Sequence, residues 1–280
     1  MTLLDMIHAA LKEDMPQGDL TTESLALAPR LGDARLIAKC DMTLSGSAPF
    51  EESLAVLDPN VRIKWFFKEG EQTKNRQVIC QVTGDLIQVL KAERVSLNFL
   101  GHLSGIASLT RKYVERVAHT KVKILDTRKT IPTYRELAKK AVVHGGGFNH
   151  RANLSDAILI KDNHITVAGG LSKAVSRIRE HSKERIEVEA SDLEQVKEAV
   201  AMKVDCILLD NMSLEMMREA LKLIPTNIET EASGNMTLDR VASVAELGVT
   251  YISVGALTHS APAADVSLIF DWVTSDPIGI

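Results

Sequence analysis

The chain has 280 residues, 45% apolar, 25% charged and 4% aromatic. That is enough for one large domain or two smaller ones, at a composition that excludes disordered, collagen-like and disulfide-scaffold classes. A formal net charge of −4 excludes wholesale binding to nucleic acid or membrane surfaces.

In chain order, residues 3–12 place Leu3, Ile7, Ala10 and Leu11 on one face and predict an amphipathic helix. PQGDLTTE, which follows, is turn-like. DARLIAKCDMTLSG and VRIKWFFKEGEQTKNRQVICQVTG are rich in β-branched and aromatic residues with Gly and Asn breaks, and predict strands of a small sheet. A helical pattern then runs from about 87 to 118. Beyond residue 120 short apolar runs alternate with helical stretches: KILD (123–126), AILIK (157–161), IEVEA (186–190), CILLD (206–210), NIETEA (227–232) and YISVG (251–255). From the second run onward they start 29, 20, 21 and 24 residues apart, the period of βα units on a parallel sheet. Helix starts are expected at Ser191 with Glu194 as a capping box, at Ser213, and at Thr237 with Gly248 closing that helix. Right-handed crossovers over this many units favour a barrel, complete or open.

No apolar run reaches the roughly 18 residues of a membrane span. The N-terminal MTLLDMIHAALKED lacks the basic lead and small-residue cleavage site of a signal peptide. Cys40, Cys80 and Cys206 are isolated, with no CxxC pair, which points to reduced thiols in the cytoplasm rather than zinc. Charge is uneven: Lys121 to His164 carries nine basic and four acidic residues, a local excess suited to a small polyanion. Within it Arg135, Lys139 and Lys140 have the spacing of one exposed helix stripe.

Catalytic groups of a βα barrel sit at the C-terminal strand ends, and every run here ends on chemistry. Arg128 and Arg151 can grip a carboxylate with a bidentate fork or form surface salt bridges. Lys161 can be a Schiff-base nucleophile or a cation facing an anion. Glu189 and Asp210, on successive strands, can hold Mg²⁺ directly or through water, or form rim ion pairs. Ser233-Gly234 and Gly255-Ala256 can present backbone N–H groups to a phosphate or simply make tight turns. Gly145-Gly146-Gly147 reads as a helix cap, and His150 as a donor, general acid or structural residue. His102 and His259 read as structural. The inventory is one phosphate cradle, two acids suited to Mg²⁺ and cations for a second anion; neither a Walker A nor a GxGxxG motif occurs.

LDTRKTIP (125–132), GGGFNHR (145–151), LIKDNH (159–164), EVEASDLEQ (187–195), LLDN (208–211), EASGN (231–235) and YISVGALTHSA (251–261) resemble the quinolinate phosphoribosyltransferase family. EDMPQGDLTT (13–22) and KAERVSLNFLGHLSGIAS (91–108) extend the likeness over nearly the whole chain. The resemblance implies an N-terminal α/β sandwich domain over 1–112, joined by the C-terminal tail 266–280, and an open α/β (TIM-like) barrel over 113–265. It implies Mg²⁺-dependent transfer of phosphoribosyl from phosphoribosyl diphosphate to quinolinate, with decarboxylation to nicotinate mononucleotide in NAD synthesis. On matching positions Arg128, His150, Arg151 and Lys161 would bind quinolinate, and Arg94 would reach the partner's site in a homodimer. Lys129, Glu189 and Asp210 would serve the diphosphate, ribose and metal; Ser233, Gly234, Asn235, Gly255 and Ala256 would hold the 5′-phosphate. Thr133-Tyr134, Ala152-Asn153 and Asn235 depart from the usual pattern. KKAVVHGGG is also similar to a protein of the molybdenum transport operon with the same fold, which lacks the LDTRKT, NHR and LIKDNH combination. A Schiff-base aldolase using Lys161 and a non-catalytic dicarboxylate or nucleotide sensor are the rival functions.

Overall fold

A computed structural model describes residues 1–271; the part of the expected tail beyond Asp271 lies outside the described residues. Two compact units emerge. One comprises Met1–Leu109 with Ala261–Asp271, the other Thr110–Ser260.

The first unit opens with α1 (Leu3–Asp14) and α2 (Leu20–Ser24), then β1 (Leu31–Ala38), β2 (Met42–Thr43), α3 (Ser47–Ala55), β3 (Arg62–Trp65), β4 (Gln72–Thr73), β5 (Val78–Asp85) and α4 (Leu86–Arg116), whose residues from Thr110 belong to the second unit. Thr2 and Asp5 cap α1 reciprocally, and its apolar face buries Ile7 and Leu11. The turn-like expectation for PQGDLTTE holds only to Asp19: the Asp19 carboxylate accepts the N–H groups of Thr21 and Thr22 and so starts the short α2. β1 alternates, burying Ala34, Leu36 and Ala38. They pack with Phe50 and Leu54 of α3 and with Val89, Leu97 and Leu100 of α4 in one apolar core.

The second unit follows with β6 (Lys123–Leu125), α5 (Arg135–His144), β7 (Ile158–Ile160), α6 (Asp162–Ala168), α7 (Leu171–His181), β8 (Ile186–Ala190), α8 (Leu193–Ala201), β9 (Cys206–Asp210), α9 (Leu214–Leu223), β10 (Glu229–Ser233), α10 (Val241–Ala245), β11 (Tyr251–Ser253) and α11 (Ala256–His259). The chain then returns to the first unit as β12 (Val266–Asp271), completing an antiparallel sheet of order β12-β1-β5-β3.

The six strands of the second unit are parallel, in the order β6-β11-β10-β9-β8-β7. β6 and β7 do not pair, so the barrel is open. Beside β6 the segment at Phe148 stands in for a strand: Phe148 N–H donates to Ile124 O at 2.8 Å and Asp126 N–H to Phe148 O at 3.1 Å.

Two helix starts shift from expectation. α8 is capped by Asp192, whose carboxylate accepts Gln195 N–H at 2.8 Å, while Gln195 Oε1 accepts Ser191 N–H; the carboxylate outcompetes the hydroxyl one residue earlier. α10 begins at Val241, because Thr237–Arg240 forms a separate turn in which Thr237 Oγ1 accepts Arg240 N–H. Thr133 adopts φ +66°, the left-handed region that favours glycine and penalises a β-branched side chain. Among the described residues no helix is long and apolar enough to cross a membrane.

Candidate active site

Alternation along a strand puts every second side chain on the barrel axis. On β8 these are Glu187 and Glu189, on β9 Cys206, Leu208 and Asp210, on β10 Glu231 and Ser233, and on β11 Tyr251 and Ser253, all of which line axial cavities. The in-register pairs Ser233–Asp210 and Glu189–Leu208 set their levels. Glu189, Asp210 and Ser233 lie toward the C-terminal ends; Glu187 lies two residues before Glu189 on β8, and Glu231 two residues before Ser233 on β10.

A cavity of about 700 Å³ opens at those C-terminal ends. It brings together ten of the residues singled out in the sequence: Arg128, Lys129, His150, Arg151, Lys161, Glu189, Asp210, Ser233, Gly234 and Asn235. Gly255 borders it, a Cβ there lying 3.3 Å from Lys129 Cδ, and Ala256 opens α11 next to it. Arg94 is an exposed residue of α4 and is absent from this lining. His259, read as structural, stands beside Gly255.

One wall is cationic. Arg151 is mostly buried, and its Nη1 donates to Ala157 O at 2.9 Å. Burial and the neighbouring Arg128 charge hold Arg151 below the ordinary guanidinium value. Arg128 Nε is buried without a hydrogen-bond partner, an orphan donor that calls for a ligand. Lys161 Nζ meets Glu189 Oε2 at 2.9 Å and is 44% exposed, so the cation closing the apolar β7 does have its partner.

The opposite wall is built from the β9 and β10 ends. Asn211 Nδ2 donates to Asp210 Oδ2 at 2.7 Å. Gly234 has φ +89°, and a Cβ on it would lie 2.1 Å from Asn211 Oδ1; only glycine fits. Asn235, at φ +48°, donates from Nδ2 to Asn211 Oδ1 at 3.1 Å. The departure from a second glycine is thus accommodated by an amide-to-amide bond in a conformation asparagine tolerates.

Behind the cationic wall lies a buried clamp that corrects the expected exposed stripe. Lys139 is 5% exposed and pairs with Asp126, which is fully buried. Lys139 Nζ also donates to His150 O at 2.8 Å, and Asp126 Oδ1 accepts His150 N–H at 2.9 Å. Arg135 likewise faces inward, donating to Thr130 Oγ1, Ala152 O and Arg128 O. Only Lys140 keeps the expected character, in an exposed pair with Glu136. The stripe fails because Asp126, at the end of β6, needs a cation and α5 passes over it.

Beneath the cavity His150 Nε2 stands 3.1 Å from Glu187 Oε2 and 3.5 Å from Glu231 Oε2. Its Nδ1 accepts Arg151 N–H at 2.7 Å. Burial opposes charge on His150, but the two carboxylates outweigh it and raise its pKa; the ring takes a second proton only by releasing the Arg151 N–H. Burial would raise Glu187, yet the His150 bond leaves it below the usual carboxylate range. Burial, reinforced by the Glu187 charge, pushes Glu231 up to about 8. Below this layer a second cavity of about 310 Å³ is rimmed by Lys123, Phe148, Arg185 and Tyr251. Sequence reasoning missed Glu231, although the two-residue strand period places it on the same face as Ser233.

Comparison with known proteins accords with this architecture. The family model for the N-terminal domain of quinolinate phosphoribosyl transferase matches residues 19–104, and that for its C-terminal domain residues 106–269. A probable nicotinate-nucleotide pyrophosphorylase (carboxylating) of Bacillus subtilis (strain 168) is 39% identical over 270 residues, 96% of this chain and 93% of that protein. The solved nicotinate-nucleotide pyrophosphorylase of Francisella tularensis superposes with TM-score 0.91 at 38% identity over 96% of each chain. That of Ehrlichia chaffeensis gives 0.93 at 37% identity, over 97% of this chain and 99% of that one. With both domain models matched in order along one chain, this protein belongs to the quinolinate phosphoribosyl transferase family.

Proposed function

We propose that this protein transfers phosphoribosyl from phosphoribosyl diphosphate to the ring nitrogen of quinolinate and releases the 2-carboxylate as CO₂. The products are nicotinate mononucleotide and diphosphate, in de novo NAD synthesis. The observation that carries the substrate assignment is the cationic wall, where Arg128 has a buried, unpartnered Nε beside Arg151. Two adjacent guanidiniums with a free donor ask for an anion able to accept several charge-assisted bonds, as a vicinal dicarboxylate does. His150 and Lys161 complete that wall.

Lys129 would supply positive charge to a departing diphosphate, supported by its place in the cavity lining beside Gly255; that turn with Ala256, and the Ser233-Gly234-Asn235 turn, would offer backbone N–H groups to the 5′-phosphate. Glu189 and Asp210 face the same cavity from adjacent strands. These two carboxylates would hold Mg²⁺, a hard cation that takes carboxylate oxygens alongside water and phosphate oxygens. When bound, Mg²⁺ neutralises diphosphate charge; the chain itself orients the two substrates and excludes water. Once the ring nitrogen is ribosylated, the pyridinium becomes the electron sink for decarboxylation, so positioning and electrostatics carry most of the rate.

We further infer a homodimer in which Arg94 reaches the partner's site, supported by its exposure on α4. A cytoplasmic location is supported by the free Cys40, Cys80 and Cys206. The test mixes protein, phosphoribosyl diphosphate and Mg²⁺ with quinolinate or, in parallel, nicotinate. Equal nicotinate mononucleotide and CO₂ from quinolinate alone is the expected result. Product from nicotinate only would mean that the cationic wall reads a single carboxylate, and binding without turnover would favour a sensor.

A further inference from the structure

Barrel axes of this class are filled mainly by branched apolar side chains. Here the layer under the front cavity holds Glu187 and Glu231 instead. Glu231 is 2% exposed, its Oε1 has no hydrogen-bond partner, and it lines both the front and the rear cavity. The groups facing it are Glu187 from β8, His150 from the segment beside β6, and Ser253 from β11. The His150 Nε2–H stands between the two carboxylates, nearer Glu187, and the Ser253 hydroxyl is the other donor facing Glu231; neither reaches Oε1. His150 Nδ1 is committed to the Arg151 N–H. An ionised Glu231 would therefore carry an orphaned, buried oxygen beside a like charge, and a proton on it relieves both. Burial beside Glu187 holds the Glu231 carboxyl up at about 8, so it keeps that proton at neutral pH.

The reaction has an unassigned need for such a proton. When the C2–carboxylate bond breaks, CO₂ leaves and the electron pair stays on C2, stabilised by the adjacent pyridinium nitrogen. That carbon must then gain a proton to become nicotinate mononucleotide. The guanidiniums of Arg128 and Arg151 do not give up protons, and the Lys161 ammonium is held by Glu189.

We propose that Glu231 is the catalytic acid that protonates C2 after decarboxylation. The Glu231 O–H bond breaks, its proton joins the C2 electron pair, and Glu231 is left as a carboxylate next to Glu187. Repulsion between the two drives it to recover a proton from solvent on the rear-cavity side, away from the product. This inference rests on the substrate and reaction given above, and the test separates the two.

Turnover of quinolinate by the wild type is measured first; without it, the proposed function fails and this inference with it. Nicotinate mononucleotide is then incubated with the enzyme in D₂O, and exchange of its C2 hydrogen is followed by NMR. By reversal of the last step the Glu231 carboxylate removes that proton, so the wild type exchanges it. Glu231→Gln, close to isosteric, lowers exchange about 10²-fold or more while quinolinate affinity is unchanged. If the Gln variant does not fold, Glu231→Asp keeps the acid with a shorter reach and shows reduced exchange at unchanged affinity. Wild-type exchange in either variant, no exchange by an active wild type, or parallel loss of exchange and quinolinate affinity would each overturn the proposal.

Discussion

Replacing Lys139 by Met tests whether the cationic wall is held from behind. In the folded chain Lys139 and Asp126 form an ion pair with almost no solvent contact, and both bond to the backbone of His150. Met preserves the volume and apolar stem but leaves the Asp126 charge buried and unpaired. Breaking one side of such a pair costs about 3–5 kcal/mol. At about 2–4 °C per kcal/mol for a unit of this size, the Tm falls by about 6–20 °C. Burial already holds Asp126 above the usual carboxylate value, with Lys139 offsetting part of that; without Lys139 it rises further. An acid whose folded pKa exceeds its unfolded one loses stability as pH rises. The deficit therefore grows as pH rises above the ordinary carboxylate range and narrows as pH falls back toward it, as thermal unfolding at a series of pH values will show. Because His150 O loses its donor, the KM for quinolinate rises more than that for phosphoribosyl diphosphate. A loss below about 1 kcal/mol, the value of an exposed pair, with no pH trend would refute the clamp.

Three further outcomes are expected. Arg128→Lys removes a bidentate fork worth about 1.5–3 kcal/mol, so kcat/KM for quinolinate drops about 10- to 100-fold while KM for phosphoribosyl diphosphate holds; steady-state kinetics decide. Gly234→Ala forces a Cβ onto Asn211 at a left-handed φ, a strain of about 1–2 kcal/mol; it raises the KM for phosphoribosyl diphosphate, and equal damage to quinolinate binding would show that the turn serves the whole site. The folded chain keeps the Glu231 proton up to about pH 8, against an ordinary value of 4.5, so the wild type loses stability between those pH values as the unfolded chain sheds its proton. Glu231→Gln removes that loss, and its Tm gains on the wild type at pH 8 relative to pH 5; parallel Tm profiles would refute the buried acid.

Most parallel strands were legible as short apolar runs, and β10 (ETEAS), with one apolar residue, by its spacing; their ends displayed Arg128, Lys161, Glu189, Asp210 and Ser233 in plain view. The caps were less legible. Ser191 and Asp192 both carry capping oxygens, and only the fold selects the carboxylate. Lys139 was hidden for another reason: helical spacing identifies a stripe, but not which stripe lies over a buried acid contributed by a strand 13 residues away. The same limit separates the strand runs from their order, since spacing does not reveal that β6 and β7 stay unpaired with the Phe148 segment beside β6.

That opening in the barrel has a chemical consequence. A closed barrel of this size packs its axis with side chains from its own strands, whereas here the segment carrying His150 and Arg151 enters beside β6, without a seventh strand of the sheet. It brings a donor to Glu187 and Glu231, two carboxylates that β8 and β10 turn toward the axis. The same dipeptide takes its position from Asp126 and Lys139, and Arg128 stands two residues beyond Asp126. Arg151 of the cationic wall and the donor to the buried acids thus share one short segment, so a shift of that segment moves both together. The Asp126–Lys139 clamp and the Glu187–His150 contact fix it from opposite sides, and rigid placement of this kind is what an electrostatic catalyst requires.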